Sequence, residues 1–402
     1  MNILFLSEYY PPKVMGGGEI NLQTIATALA EQGHAISILT SYFSELKPYE
    51  EIKEVKIYRR LKTGQNPSTF KNNLIRSLKF PKSIQRETKK ITLEIKPDII
   101  HFIGTSIIAA PKLRSLGIPL FATIESYPTL CPKGDRWYRG KEECKVVCSL
   151  RQFVPCQSHS KEIGKMKNKW YLKYNPFFLL FVYNHYQKLN QALQHCQLIA
   201  ISDYVKNLLI QQGHASTVIP NALDLKPFQK AQKKGKDNAG KPRILFLGSL
   251  MESKGPQVLL EAIKGINCRC DLYGEGAMKE QLQQIIDQNH LDAMIHAPVP
   301  YREIPEIYAQ ADVVVFPSLW PEPFGRIAIE AQAAGKMVIG SDIGGIKETM
   351  ADGGFLVAPG NIIALQQQLN SQLDHQPLMR IPDKSTYRRQ IIAKKLNQLY
   401  QT

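Results

Sequence analysis

Twice along this chain of 402 residues a short, uninterrupted apolar run ends in a glycine-bearing loop and passes into a segment with apolar residues at helical spacing. Residues 3–6 lead to Gly16, Gly17 and Gly18, and residues 19–31 then follow a helical period until Gly33 stops them. Residues 244–247 lead to Gly248, with a second helical pattern from about Pro256. A strand that is apolar throughout, rather than alternating, is covered on both faces, as in a parallel sheet packed between helices. Further runs of this kind lie at 36–39, 99–103, 120–124 and 198–201, and at 271–273, 313–316, 337–340 and 355–357. The expectation is an α/β fold of two Rossmann-like domains with parallel sheets facing an interdomain cleft, where such sheets bind ligands at the carboxyl ends of their strands.

The length suits two cores rather than one. Residues 1–226 are expected to form the first domain, with a cysteine-containing insertion at about 131–156, and residues 227–242, basic and without periodicity, to form a linker. A second domain is expected over 243–380, and residues 381–402 as a helix packing back toward the first. The net charge of +16 is one-sided: residues 1–200 carry an excess of +14 and residues 201–402 only +2. Such a surface attracts phosphate-rich partners. No apolar run approaches the ~20 residues that span a bilayer. The first residues read as a strand and not as a secretory leader, and seven cysteines without such a leader point to reduced thiols and a cytoplasmic location.

The string from Pro317 to Ala331 follows an apolar run and opens a helix near Gly325. Such a helix start offers unpaired N–H groups and a positive dipole end to an anion. Glu322 in the loop and Glu330 on the helix suit hydroxyls rather than bare phosphate, so the ligand expected here carries both.

These residues resemble family 4 of the GT-B glycosyltransferases, marked by two glutamates in a P-S-x-x-E-P-F-G-x-x-x-x-E string, here Glu322 and Glu330. The likeness runs through Gly16 to Glu19, Ile201 to Asp203, Ile219 to Asn221 with Asp224, Gly248 to Gly255, Tyr273 to Gly276, and Gly344, Gly345 and Glu348. It implies a retaining transferase that moves a hexosyl-type sugar from a nucleotide-diphosphate sugar, its co-substrate, to a glycan or lipid-linked acceptor, with no further cofactor. It also implies roles: Glu330 on the ribose, Glu322 with the N–H groups of Phe324 and Gly325 on the transferred sugar, and Lys254 on the diphosphate. The loop Gly16, Gly17 and Gly18 would approach the diphosphate or sugar from the opposite domain. A non-catalytic nucleotide-sugar-binding subunit and an epimerase or hydrolase of similar architecture are the alternatives. No nucleic-acid motif is evident.

Two positions depart from the family. Ser249 stands where relatives carry an arginine, which removes one diphosphate cation that Arg326, Arg243 or Lys347 could replace. Glu125 stands where relatives carry a histidine, and a carboxylate there can orient a hydroxyl or take a proton but cannot act as a cation. His101, at the end of the preceding apolar run, is the candidate to compensate.

Two segments remain. Cys131, Cys144, Cys148 and Cys156 could hold a structural zinc tetrahedrally or stand as thiols, their spacing lacking a C-x-x-C pair. Residues 161–188 interleave lysines with Trp170, Tyr171, Tyr174, Phe177, Phe178, Phe181, Tyr183 and Tyr186. That mixture suits peripheral contact with an anionic membrane, or a helix packed on the first domain.

Overall fold

The computed structural model describes residues 1–65, 69–158, 174–232, 240–350, 353–375 and 383–402. The chain divides into two compact units, Met1–Leu223 with Tyr387–Thr402, and Asp224–Thr386.

The first unit is built on β1 (Asn2–Leu6), β2 (Ala35–Ser41), β3 (Tyr49–Ile52), β4 (Val55–Leu61), β5 (Ile99–Ile103), β6 (Leu120–Ile124), β7 (Trp137–Tyr138), β8 (Glu142–Glu143), β9 (Gln197–Ala200) and β10 (Thr217–Val218). Its helices are α1 (Gly17–Ala30), α2 (Phe70–Ile95), α3 (Ala110–Leu113), α4 (Leu150–Ser158), α5 (Pro176–Ala192) and α6 (Asp203–Gln211). Eight strands form one sheet in the order β10-β9-β6-β5-β1-β2-β4-β3, parallel except for the edge hairpin β3–β4. The central strands β5 and β6 are buried at every residue, as their unbroken apolar sequences require. Toward the edge, β4 alternates buried and accessible positions and carries Lys56, Arg59 and Arg60. Strand order reverses at β1, which pairs with β2 on one side and β5 on the other. The crevice above that reversal, at the carboxyl ends of β1 and β5, is where an open α/β sheet accepts a ligand.

A helix at Arg389–Tyr400 completes this unit. Its Ile392, Ala393, Leu396 and Tyr400 belong to the same buried cluster as Leu22, Ile25 and Leu29 of α1, each contributing about 1.5–3 kcal/mol for a large apolar side chain withdrawn from water. Arg389 pairs with Glu31 at 2.9 Å, and Leu223 exchanges backbone hydrogen bonds with Tyr387 and Arg389.

The second unit begins earlier than residue 243. The stretch expected to be a linker opens instead with α7 (Lys226–Gln232), whose Phe228 and Ala231 are buried; residues 233–239 lie outside the described residues. Two buried positions three apart sufficed to hold a helix that the lysines obscured in sequence. The chain continues through β11 (Arg243–Leu247), α8 (Pro256–Ala262), β12 (Arg269–Tyr273), α9 (Lys279–Gln288), β13 (Ala293–His296), α10 (Ile304–Gln310), β14 (Val313–Phe316), α11 (Arg326–Ala333), β15 (Met337–Ser341), α12 (Ile346–Met350), β16 (Phe355–Val357) and α13 (Ile362–His375). The final helix Arg389–Tyr400 is α14. The six strands form a wholly parallel sheet in the order β13-β12-β11-β14-β15-β16, which reverses between β11 and β14.

Candidate active site

The reversal in the second sheet brings together the loops that follow β11 and β14. Gly255 has φ +74°, and a Cβ there would lie 2.0 Å from the Pro317 carbonyl oxygen. Only glycine lets the loops touch in this way. Leu319 N–H donates to Ser253 O at 2.8 Å across the contact. As a result Lys254 Nζ stands 2.6 Å from Glu322 Oε1 and 4.7 Å from the centre of the Trp320 ring. Ser318 Oγ and Trp320 Nε1 donate to the same carboxylate oxygen, at 3.0 and 3.2 Å. All three contacts thus fall on one oxygen of the buried Glu322 carboxylate. The backbone of Glu322 is held too: Gly345 N–H donates to its carbonyl at 2.7 Å, beside Gly344 with φ +59°.

Behind this pair α11 starts at Gly325 without a side-chain cap, while Phe324 is buried just before it. The positive end of the helix dipole is therefore not covered by a side-chain cap at Gly325. Glu330, one turn in, is not open. Its Oε1 accepts from Arg326 Nε and Tyr301 Oη, both at 2.6 Å, and its Oε2 from Tyr308 Oη at 3.2 Å. Burial and the Glu330 charge push both phenols up, so they remain donors. Burial disfavours the Arg326 cation, but Glu330 and Tyr301 keep it charged. Arg326 is therefore tied to Glu330, Lys347 pairs with Asp342 at 3.0 Å, and Arg243 lies at the opposite end of β11. Ser249 itself is exposed. Tyr301 was not singled out in sequence; no motif marks a tyrosine that reaches a glutamate 29 positions on.

In the first unit Gly17 and Gly18 open α1, and Gly16 precedes it with its N–H bonded to Glu19 at 3.0 Å. A Cβ on Gly18 would come 2.4 Å from Glu125 Oε2, and Glu125 Oε1 accepts from Asn21 Nδ2 at 2.6 Å. The carboxylate that replaces the family histidine thus sits against the first turn of α1, where the helix dipole favours it. The missing side chain of Gly18 makes room for Glu125. The expectation for His101 is corrected. This residue is buried in the centre of β5, with Nδ1 on Tyr400 Oη at 2.5 Å and Nε2 on Thr123 Oγ1 at 2.8 Å. Burial lowers its pKa to about 3. A neutral imidazole with both nitrogens engaged serves the core and not the reaction.

Cys131, Cys144, Cys148 and Cys156 line one small cavity between α4 and the β7–β8 hairpin. Among the described residues no group of three or more His, Cys, Asp or Glu is arranged to hold a metal ion. The sulfurs of Cys144 and Cys148 turn toward the carbonyls of Val146 and Ser149. Burial, followed by the neighbouring cysteines, pushes Cys148 up to about 12. Of the aromatic segment, Trp170 and Tyr171 lie outside the described residues. Along α5, Tyr186 is buried whereas Phe177 is 82% exposed. Among the described residues no helix is long and apolar enough to cross a membrane.

A cavity of about 220 Å³ lies at the reversal in the first sheet and was not foreseen. Glu8 follows β1 and Thr105 follows β5; Thr63 and Thr105 donate to Glu8 at 2.7 and 3.2 Å, and Arg76 of α2 pairs with it at 2.6 Å. The signal in sequence was a lone carboxylate two residues beyond the first apolar run.

The description Glycosyltransferase Family 4 matches residues 15–226, and Glycosyl transferases group 1 matches residues 227–389. Among curated proteins the chain is similar to an uncharacterized 42.6 kDa protein in the cps region of Klebsiella pneumoniae, 25% identical, covering 87% of each chain. It is also similar to a glycogen synthase of Mycobacterium tuberculosis, 24% identical, covering 93% of this chain and 86% of that protein. Among solved structures it resembles sucrose-phosphate synthase from Thermosynechococcus elongatus, with TM-score 0.74, 20% identity and coverage of 100% and 98%. Anabaena Alr3699/HepE in complex with UDP and glucose gives TM-score 0.67, 18% identity and coverage of 100% and 99%.

Proposed function

The chain belongs to glycosyltransferase family 4, and from that premise we propose that it transfers a hexosyl-type sugar, with retention of configuration, from a nucleoside diphosphate sugar to an acceptor hydroxyl. The observation that carries this reading is the Lys254–Glu322 pair at the strand-order reversal of the second sheet. We assign the donor to this second unit and the acceptor to the first.

The reaction makes a bond between the acceptor oxygen and the anomeric carbon and breaks the bond from that carbon to the diphosphate. The acceptor proton passes to a diphosphate oxygen, leaving a glycoside and a nucleoside diphosphate. Negative charge grows on the leaving group, and a fixed cation with oriented N–H donors lowers the barrier by being in place beforehand. Lys254 supplies the cation, and the uncapped start of α11 supplies the donors. Trp320 and Glu322 hold the ammonium, so no reorganisation is needed as charge develops. Glu322 Oε2 takes a hydroxyl of the transferred sugar. Glu330 takes the ribose hydroxyls, which must displace Tyr301 or share its oxygen. No glycosyl-enzyme intermediate enters this scheme. A place in polysaccharide or glycolipid synthesis, on the cytoplasmic side, accords with these assignments.

The test is saturation-transfer NMR of UDP-, GDP- and ADP-sugars with the wild-type protein and Lys254→Ala, followed over hours for donor breakdown. Binding with slow hydrolysis that falls in the variant supports the reading. The absence of binding by all three classes sinks it.

A further inference from the structure

Cys131, Cys144, Cys148 and Cys156 reach one place from three parts of the first unit. Cys131 lies in the turn that follows β6 and Glu125, its N–H donating to Tyr127 O at 2.8 Å. Cys144 follows β8, Cys148 lies between β8 and α4, and Cys156 is on α4. All four border a cavity of about 10 Å³, with Trp137 and Phe153 beside them. That volume is close to one water-sized sphere, so it suits a single ion and not a multi-iron cluster. Cys148 is near enough to the other three for their charges to act on it. It is also the one of the four that is partly exposed, which gives an ion a way in.

The surroundings carry positive charge that no carboxylate answers. Arg136 is 2% exposed; its guanidinium donates to the carbonyls of Cys144 and Val146, and its Nε is buried without a hydrogen-bond partner. Arg139 gives its backbone N–H to Cys156 Sγ at 3.5 Å, lies over the Tyr138 ring and likewise has a buried Nε with no partner. Among the described residues neither arginine forms an ion pair with a carboxylate. A guanidinium keeps its proton, so burying one without an anion is costly. Both arginines also hold left-handed backbone, with φ +55° and +51°, which a non-glycine residue keeps only where its surroundings fix it. The hairpin beside them has two residues in each strand and is too short to do so alone.

We propose that these four cysteines bind one divalent, thiophilic metal ion, of the chemistry of zinc, as a closed tetrahedral tetrathiolate that ties the loop after Glu125 to the hairpin and to α4. The site is separate from the transferase reading and does not depend on it. Four S–H bonds give way to four metal–sulfur bonds, and four protons pass to solvent. A divalent ion with four thiolates is doubly negative, and Arg136 and Arg139 offset that charge; two disulfides would be neutral and leave both cations unanswered. The sulfurs of Cys144 and Cys148 lie 3.9 and 3.6 Å from the carbonyls of Val146 and Ser149, contacts that only a thiol can make. Once the proton has gone, sulfur and carbonyl oxygen repel each other, and rotation about Cα–Cβ turns both sulfurs to the ion. Four protein ligands leave no position for water, so the ion supports the fold and not the reaction.

The test is the metal content of the full chain, purified without chelator from zinc-supplemented medium and read by plasma mass spectrometry. One zinc per chain is expected, freed when a mercurial blocks the clustered thiols. Cobalt(II) exchanged into the same protein is expected to show the intense visible bands of tetrahedral coordination with sulfur-to-metal charge transfer. Cys148→Ser is expected to weaken zinc binding at least about tenfold, the loss that even a change outside the ligands brings, while Cys268→Ser, outside the cluster, keeps the ion. If Cys148→Ser does not fold, the wild-type cobalt spectrum decides alone. A wild type that takes up neither zinc nor cobalt overturns the proposal, as does a mass lowered by two hydrogens for each disulfide among the four. A pale octahedral cobalt spectrum, or unchanged binding in a folded Cys148→Ser, overturns the tetrathiolate.

Discussion

The ammonium of Lys254 and the carboxylate of Glu322 meet at 2.6 Å although 68 positions separate them, because they lie in the loops that follow the two strands between which the second sheet reverses its order. A cation held by a carboxylate and an indole is oriented before any ligand arrives. Lys254→Ala is therefore expected to lower kcat for donor breakdown by about 100-fold or more, the usual loss when one preorganised stabiliser of a leaving charge is removed. Steady-state kinetics check this; a variant that changes only KM would place Lys254 in ground-state binding.

Gly344 is required by the backbone and not by chemistry. A Cβ there would lie 2.5 Å from the Glu322 carbonyl oxygen, at a φ that L side chains rarely adopt. Gly344→Ala is expected to cost about 1–3 kcal/mol of stability and to displace Glu322, so that activity falls even where the protein is folded. Urea unfolding and kinetics on the same sample separate the two effects.

Glu330 is shared by Arg326, Tyr301 and Tyr308. Glu330→Gln keeps the shape and removes the charge, and nucleotide-sugar affinity is expected to fall about tenfold, as when a charge-assisted hydrogen bond becomes a neutral one. Tyr301→Phe removes a competitor for the same oxygen and is expected to tighten binding roughly threefold. Calorimetric titration reads both; an unchanged affinity in Glu330→Gln would sink the ribose assignment.

His101 makes stability depend on pH. Its folded pKa, about 3, lies below the ordinary 6.5. Between those values the unfolded chain binds a proton that the folded chain refuses. Stability is therefore fully present above about pH 6.5 and falls as the pH drops, by up to ~1.4 kcal/mol per unit. From pH 6.5 to 5 the wild type is expected to lose about 2 kcal/mol more than His101→Asn. Equal losses in urea titrations would show that the imidazole titrates normally.

The strands at 99–103, 120–124 and 313–316 could be read from sequence with their observed bounds, because a strand covered on both faces must be apolar throughout. The same criterion passed over β4, where Lys56, Tyr58 and Arg60 take the accessible positions of a strand near the sheet edge and Arg59 is buried. It also passed over α7, which is held by Phe228 and Ala231 among lysines. In the site, Lys254 and Glu322 were legible because they lie in contiguous strings whose loops sit at neighbouring strand ends. Tyr301 on Glu330, Glu125 on Gly18 and Arg76 on Glu8 were not, since each joins residues that only the folded chain brings together. His101 misled because a histidine among apolar neighbours looks the same whether it faces a ligand or a tyrosine from the far end of the chain.

That tyrosine orders events during synthesis. Tyr400, Leu396, Ala393 and Ile392 fill the core begun by Leu22, Ile25 and Leu29, yet they emerge from the ribosome after the whole second unit. The first unit therefore waits, its α1 surface uncovered, until Arg389–Tyr400 has been made. A stop codon just before Arg389 would leave that surface open for the life of the protein, so this helix acts as the latch that closes the first unit.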